Sequence, residues 1–424
     1  MMYTLIQRHI LFKAWNMKIL IYGINFSPEL TGIGKYTGEM TDWMHNNGVD
    51  VRVITAPPYY PEWKVAKGYR KYWFANVNNG YPVSRCPLYV PQKKSTLKRV
   101  LHLLSFGVTS FFSLLRHISW KPDCVICIVP TMLSFPGAYF FKKITGAKIV
   151  MHIQDFEVDA MFGLGMAKSN FLAIIAKKFE SWCLLKSDLV STISSSMMNS
   201  TIKKGVSESR VIFFPNWTEY QRFELVTEES LESTAHRLNL DRQKKIVLYS
   251  GNIGEKQGLE IVLEAAKYFS TDEDVIFLIV GDGLGKKSLV HKTASLGLSN
   301  VFFHPLQPYD LLPSLLKLAD CHLIIQKRGV ADAVLPSKLT NILAASGNAV
   351  ITADKGSELG NLCEQYPGIA VQVEPESAKA LIDGILKCLK LPKNNSIASS
   401  YAKNYLDKAS ILPAVINKIH EKLG

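Results

Sequence analysis

The sequence predicts an α/β fold: two facing domains, each a mostly parallel sheet covered by helices on both faces, with a cleft between them. Three observations lead there. First, 424 residues, 47% of them hydrophobic and 20% charged, are enough to bury two cores. Second, short near-continuous apolar runs alternate with helical stretches along the whole chain, the pattern of parallel strands buried on both faces. Third, two glycine-rich loops lie about half a chain apart, one after Tyr22 with Gly32 and Gly34, the other after Tyr249 with Gly251, Gly254 and Gly258. Each follows a strand and opens a helix. That arrangement makes an anion site, because helix N-terminal N–H groups point outward and the helix dipole adds partial positive charge.

In the first half, strands are expected at 19–22, 51–55, 122–129, 148–153, 188–193 and 211–214, with a helix at about 34–46 and a long apolar helix ending near Trp120. The stretch Ala56–Trp63 holds Pro57, Pro58 and Pro61 among Tyr59, Tyr60 and Trp63 and reads as a loop. A second proline-bounded segment covers 81–91. In the second half, strands are expected at 246–249, 275–280, 301–303, 322–325 and 349–351, with glycine turns at Gly281, Gly283 and Gly356 and a long helical region over 401–423. The division expected is an N-terminal extension (1–16), a first domain (17–216), a polar linker (217–244), a second domain (245–395) and C-terminal helices (396–424) packing back on the first domain. Residues 1–16 read as an upstream extension before a natural start at Met17, or as a short basic amphipathic helix; they lack the length and cleavage pattern of a secretory signal.

Several classes are excluded. No run of 18 apolar residues spans a membrane. Cys124 and Cys127 form a CxxC, but inside an apolar strand and without a second pair, so buried thiols are expected and no metal site. No zinc finger, RNP-type strand or aromatic-basic repeat suggests nucleic acid. Neither glycine loop carries GxGxxG, which disfavours a dehydrogenase.

The charge is uneven. Residues 1–216 hold 26 Lys and Arg against 12 Asp and Glu, whereas residues 217–424 hold 23 against 24. Between Trp63 and Pro122 there are 11 basic residues and no acidic one, and within that stretch 100–115 is apolar, flanked by Lys93, Lys94, Lys98 and Arg99 before it and Arg116, His117 and Lys121 after it. A basic-flanked apolar helix suits a protein lying on an anionic membrane surface, and the scattered cysteines suit a cytosolic, reduced one. A core helix with solvated ends is the other reading.

Ligands of doubly wound sheets bind at the strands' carboxyl ends. That rule selects Gly32 and Gly34, the turn His152–Asp155, the loop Gly251–Gly258, the turn Gly281–Gly283 and the stretch Lys327–Ser337. His152 and Asp155 are of the types that orient or deprotonate a hydroxyl, and Glu157 and Asp159 follow them. A satisfied structural histidine remains an alternative for His152. Ser337 and Lys338 follow Pro336 at a helix start, where a cation suits a phosphate or diphosphate.

These motifs resemble the GT-B glycosyltransferases, in particular glycosyltransferase family 4. The resemblance covers nearly everything after Met17 and rests on the ordered set 249–254, 257–260, 279–283, 335–339 and 353–359, with 191–196 and 214–219 before them. The stretch Ala56–Trp63 narrows it to the enzymes of colanic acid exopolysaccharide synthesis. The resemblance implies GT-B architecture with two Rossmann-like domains and sugar transfer from a nucleotide-sugar, with retention of configuration and without metal or cofactor. It implies a polyprenyl-diphosphate saccharide as acceptor and GDP-fucose as donor. Donor-binding residues would be Gly251, Asn252, Gly254, Lys256, Gln257, Gly281, Gly283, Arg328, Asp332, Ser337 and Asn341; acceptor-binding residues Gly32, Gly34, Tyr59, Tyr60 and Trp63; and catalytic residues Asp155, His152 and Lys338.

The chain departs from the family where it usually places an Arg and a Lys, here Asn252 and Gln257, and two glutamates, here near Asp332 or Ala333 and at Asn341. The diphosphate's counter-charge is therefore expected from Lys256, Lys338, Arg328 and the backbone N–H at Gly254. A nucleotide-sugar epimerase on the same two-domain plan, and a non-catalytic polysaccharide-assembly scaffold, stay open as alternatives.

Overall fold

A computed structural model describes residues 17–29, 32–69, 72–92, 95–156, 170–254, 257–328 and 336–423. The expectations placed on residues 1–16, Lys93, Lys94, Glu157, Asp159, Lys256 and Asp332 lie outside these. The chain divides into two compact units. The first comprises Met1–Ile193, Met198–Phe214 and Val415–Gly424, and the second Ser194–Met197 and Pro215–Ala414.

The first unit is built on eight strands: β1 (Lys18–Tyr22), β2 (Asp50–Thr55), β3 (Phe74–Asn78), β4 (Tyr81–Arg85), β5 (Cys124–Val129), β6 (Lys148–Ile153), β7 (Leu189–Thr192) and β8 (Val211–Phe213). Their order is β3-β4-β2-β1-β5-β6-β7-β8, parallel throughout except for the β3–β4 hairpin. Ile19, Leu20 and Ile21 of β1 are fully buried, because helices cover both faces and β2 and β5 pair on either side. Fully burying such side chains contributes roughly 1.5–3 kcal/mol each. Cys124 and Cys127 are buried in β5, and burial pushes the Cys127 thiol up to about 12.

The helix Thr96–Leu115 starts at Ser95, whose side chain accepts from the Lys98 N–H at 3.4 Å. Phe106 and Leu114 point into the core and are fully buried. No helix among the described residues is long and apolar enough to cross a membrane.

The second unit has six parallel strands: β9 (Lys245–Ser250), β10 (Val275–Val280), β11 (Val301–His304), β12 (Cys321–Ile324), β13 (Ala349–Thr352) and β14 (Val371–Val373), in the order β11-β10-β9-β12-β13-β14. Apolar layers cover its two faces, one around Leu248, Leu278 and Leu343, the other around Val247, Phe277 and Leu263. The polar segment read as a linker contains the helices Tyr220–Glu224 and Glu228–Arg237, and Tyr220, Phe223, Ala235 and Leu238 join the second unit's core. A capping box between Thr227 and Ser230 starts the second of these helices.

Candidate functional site

The carboxyl ends of β1, β2, β4 and β6 carry the candidate residues of the first unit. Glu29, 5% exposed, sits just before the glycine pair. Its Oε2 accepts from Asn25 Nδ2 at 2.9 Å, and its Oε1 accepts from the Tyr59 and Tyr60 N–H groups, each at 3.2 Å. Burial raises its carboxyl above the ordinary range, and these hydrogen bonds and the Arg85 guanidinium oppose that. Arg85, at the end of β4, donates to Ala56 O at 2.9 Å and Ser27 O at 2.6 Å, so it ties the loops after β1 and β2 together.

Gly34 has a packing reason: a Cβ there would lie 2.4 Å from Glu29 Oε2. The space where a side chain would lie is filled by Glu29, which by itself accounts for a glycine at that residue. Gly32 opens the helix Gly32–Asn46, and a Cβ there would meet nothing within 4 Å.

Tyr59 is buried and Tyr60 exposed. The Tyr59 ring lies 5.8 Å from Trp63 and 4.8 Å from His102, and Trp63 lies 5.3 Å from His102, which reaches the loop from the helix Thr96–Leu115. Trp63 holds a left-handed φ of 52°, a conformation costing roughly 1–2 kcal/mol for a non-glycine residue. The packing of its indole against two rings offsets that strain.

His152 ends β6 in the interior. Its Nδ1 lies 3.0 Å from Ser191 Oγ and its Nε2 2.8 Å from the Gln154 amide, and its ring packs 4.7 Å from Phe214. Burial lowers the imidazole to about 3. Both nitrogens are engaged and the ring is neutral, the arrangement expected of a satisfied structural histidine. Asp155, two residues past the strand, is exposed.

In the second unit the exits of β9 and β10 pack tightly. A Cβ on Gly281 would come 1.9 Å from Gly251 O, and one on Gly283 would come 2.2 Å from Ile253 O and 2.9 Å from Asn252 Oδ1. Gly281 holds a φ of 158°, so glycine is required there by both space and conformation. Lys338 belongs to the first turn of the helix Ser337–Ala344, which Pro336 precedes. Its Nζ stands 4.4 Å from the Tyr249 ring centroid, and its Cδ would be 3.7 Å from a Cβ on Gly251. Burial lowers this ammonium to about 8, and among the described residues no carboxylate pairs with it. Gly251, Asn252, Gly281, Gly283 and Lys338 are thus brought together.

Four other expected donor residues, Gly254, Gln257, Arg328 and Asn341, make contacts within the fold. The Gly254 N–H donates to Gln257 Oε1 at 3.1 Å, so that N–H is turned to the side chain and the Gln257 oxygen is used within the loop. Arg328 is exposed and forms ion pairs with Asp354 at 3.0 Å and Glu374 at 2.8 Å. Asn341 accepts from Thr218 Oγ1 at 2.8 Å. Sequence reasoning passed over Glu29, Arg85 and His102 in the first unit and Tyr249 in the second. A signal existed for Glu29, an acidic residue directly before a glycine pair in an acid-poor half.

Comparison with known proteins agrees with this arrangement. Residues 31–217 match the family described as glycosyl transferase 4-like domain, and residues 232–405 match glycosyl transferases group 1. The chain is 57% identical over 406 residues to WcaI of Escherichia coli K12, named as a colanic acid biosynthesis glycosyl transferase, covering 95% of this chain and all of that one. Sucrose-phosphate synthase of Thermosynechococcus elongatus has the same fold, with a TM-score of 0.72 at 14% identity over 96% of this chain and 99% of that chain. HepE of Anabaena, solved with UDP and glucose, also matches, with a TM-score of 0.67 at 15% identity over 96% and 100%.

Proposed function

The chain belongs to the glycosyltransferases, with a 4-like first domain and a group 1 second domain of GT-B type, and from that premise we propose that it moves fucose from GDP-fucose to a polyprenyl-diphosphate saccharide in colanic acid synthesis. On this reading the second unit binds the nucleotide-sugar, the first binds the acceptor, and transfer retains the anomeric configuration without a metal.

The observation that carries the donor assignment is Lys338, held without a carboxylate partner beside the Gly251 and Gly281 turns. As the glycosidic bond breaks, the leaving nucleoside diphosphate gains negative charge. A cation already fixed beside it stabilises that charge without reorganising, the largest single contribution in many enzymes. Asp155, exposed at the end of the first sheet, is the group proposed to orient the acceptor hydroxyl.

The lipid acceptor is supported by the surface of the first unit. Leu97, Leu101, Leu104, Val108 and Phe112 are 70%, 45%, 45%, 56% and 55% exposed. Their spacing places them on one face of the helix Thr96–Leu115. Trp73 extends that face, donating to Thr109 O at 3.0 Å with its ring 6.4 Å from Phe112. Lys98, Arg99, Arg116 and Lys121 flank the stripe, and residues 63–122 contain no acidic side chain. An apolar stripe with cations at both its ends complements an anionic bilayer, where each Lys or Arg contributes roughly 1 kcal/mol. The protein would then lie on the inner face of the plasma membrane, beside a lipid-borne acceptor.

The test is a panel of nucleotide-sugars incubated with purified protein, with and without acceptor, followed by analysis of the nucleotide products. Nucleoside diphosphate release that depends on acceptor supports the proposal. An isomerised nucleotide-sugar formed without acceptor would instead identify an epimerase, and donor binding without any product a scaffold.

A further inference from the structure

Four backbone N–H groups of the glycine loop after β9 are already engaged within the fold. The Gly251 N–H donates to Val280 O at 2.9 Å, Ile253 to Asp282 O at 2.8 Å, and Gln257 to Gly254 O at 3.2 Å. The Gly254 N–H is taken by the Gln257 side chain at 3.1 Å. A strand, glycine turn and helix start therefore exist here, but these N–H groups serve the loop itself. Backbone groups carry no formal charge, so full positive charge to set against a diphosphate comes from side chains.

Lys327 leaves β12 beside this loop, and its stem runs across Gly258. A Cβ on Gly258 would come within 3.0 Å of both Cγ and Cε of Lys327. Gly258 also holds a φ of 63°, so this residue gives the lysine its path as well as making the turn. Among the described residues Lys327 has no ion pair or hydrogen bond. Its neighbour Arg328 is the reverse, held by Asp354 and Glu374. Lys327 and Arg328 lie past the end of β12, and of these two neighbours one meets the glycine loop and the other meets carboxylates. Lys338 stands at the Gly251 end of the same loop. Two lysines without carboxylate partners thus flank one short loop at the carboxyl edge of the sheet.

We propose that Lys327 is a diphosphate-binding cation of the donor site, acting with Lys338 from the opposite end of the loop Gly251–Gly258. This inference rests on the donor reading of the second unit. The ligand chemistry is that of a nucleoside diphosphate: two adjacent phosphoryl groups offer several acceptor oxygens, which two separated point cations can engage together.

The test uses the full chain with GDP and UDP as diphosphate probes, and guanosine and uridine as probes lacking phosphate. Lys327→Gln is expected to weaken the diphosphate that binds wild type by about tenfold or more, a typical loss for one charged hydrogen bond, while nucleoside binding stays unchanged. Lys327→Arg should retain most of the affinity. Gly258→Ala, which displaces the stem but keeps the charge, should shift affinity in the same direction as Lys327→Gln. Wild-type diphosphate affinity in folded Lys327→Gln overturns the inference alone. Equal loss of nucleoside and diphosphate overturns it too, since Lys327 would then support the pocket and not the phosphates. Failure of wild type to bind either diphosphate overturns the donor reading itself, and the inference with it.

Discussion

The Lys338 ammonium stands 4.4 Å from the centre of the Tyr249 ring, and Tyr249 donates its hydroxyl to Asn252 O at 2.6 Å. A strand end, a glycine loop and a helix start are joined through these two side chains. The ring face attracts the cation and holds it in place without neutralising it. Lys338→Ala is therefore expected to lower turnover by about 100-fold or more, the usual cost of removing one preorganised donor from a developing anion. Circular dichroism and thermal unfolding should show a folded protein. Near-normal turnover would remove Lys338 from the site.

The same lysine sets a pH dependence whose sign is fixed by its environment. Folded, it loses its proton near pH 8; unfolded, a lysine keeps its proton to about 10.4. Between those values the unfolded chain binds more protons, so this group makes folding stability rise with pH across that window. Diphosphate binding needs the ammonium and should fall over the same range. Thermal unfolding and GDP affinity measured at pH 7 and pH 9 should move in opposite directions. Lys338→Arg, which stays charged, should lose most of the fall in affinity.

Glu29 organises the first unit's loops. Removing its carboxylate in Glu29→Ala leaves the Tyr59 and Tyr60 N–H groups without their acceptor, at a cost of about 3 kcal/mol given roughly 1–3 kcal/mol for each buried donor. Glu29→Gln keeps an acceptor oxygen and avoids a buried charge. The expected result is a lowered melting temperature and a raised acceptor KM for Glu29→Ala, near-normal values for Glu29→Gln, and unchanged donor affinity for both. Unchanged acceptor KM in Glu29→Ala would separate this loop from acceptor binding.

The parallel sheets were legible because buried strands such as β5 and β10 are uninterrupted apolar runs. The β3–β4 hairpin was not, because β4 contains Pro82 and β3 alternates with asparagines, so 81–91 read as a proline-bounded loop. Strand β14 is three half-buried residues at a sheet edge and left little signal. The segment around Tyr220 and Phe223 looked polar because the few apolar residues it gives to the core, Tyr220, Phe223, Ala235 and Leu238, are spread among charged ones.

Within the site, both glycine loops could be found from sequence, but not how their hydrogen bonds are spent. Gln257 accepting from Gly254 is a three-dimensional fact. So is the division between Arg328, which meets two carboxylates, and Lys327, which meets Gly258. The two residues are adjacent in sequence, and only the folded path of the chain after β12 decides which faces the loop.

The exposed stripe on the helix Thr96–Leu115 gives a prediction separate from the donor site. Leu104→Glu combined with Val108→Glu places two anions among residues exposed at 45% and 56%, so the core is untouched. Co-sedimentation with vesicles rich in anionic lipid should fall sharply in this variant and in high salt for wild type. Equal sedimentation of wild type and variant would show that the helix does not meet the bilayer.

The most direct test of the account is transfer itself. Purified protein is incubated with radiolabelled GDP-fucose and polyprenyl-diphosphate-linked glucose in detergent or vesicles, and label is counted in the lipid extract. The account predicts that label enters the lipid phase only when donor, lipid acceptor and enzyme are all present, and that Lys338→Ala largely abolishes it. Label remaining wholly in the aqueous phase, with this donor and with every other nucleotide-sugar tried, would contradict it.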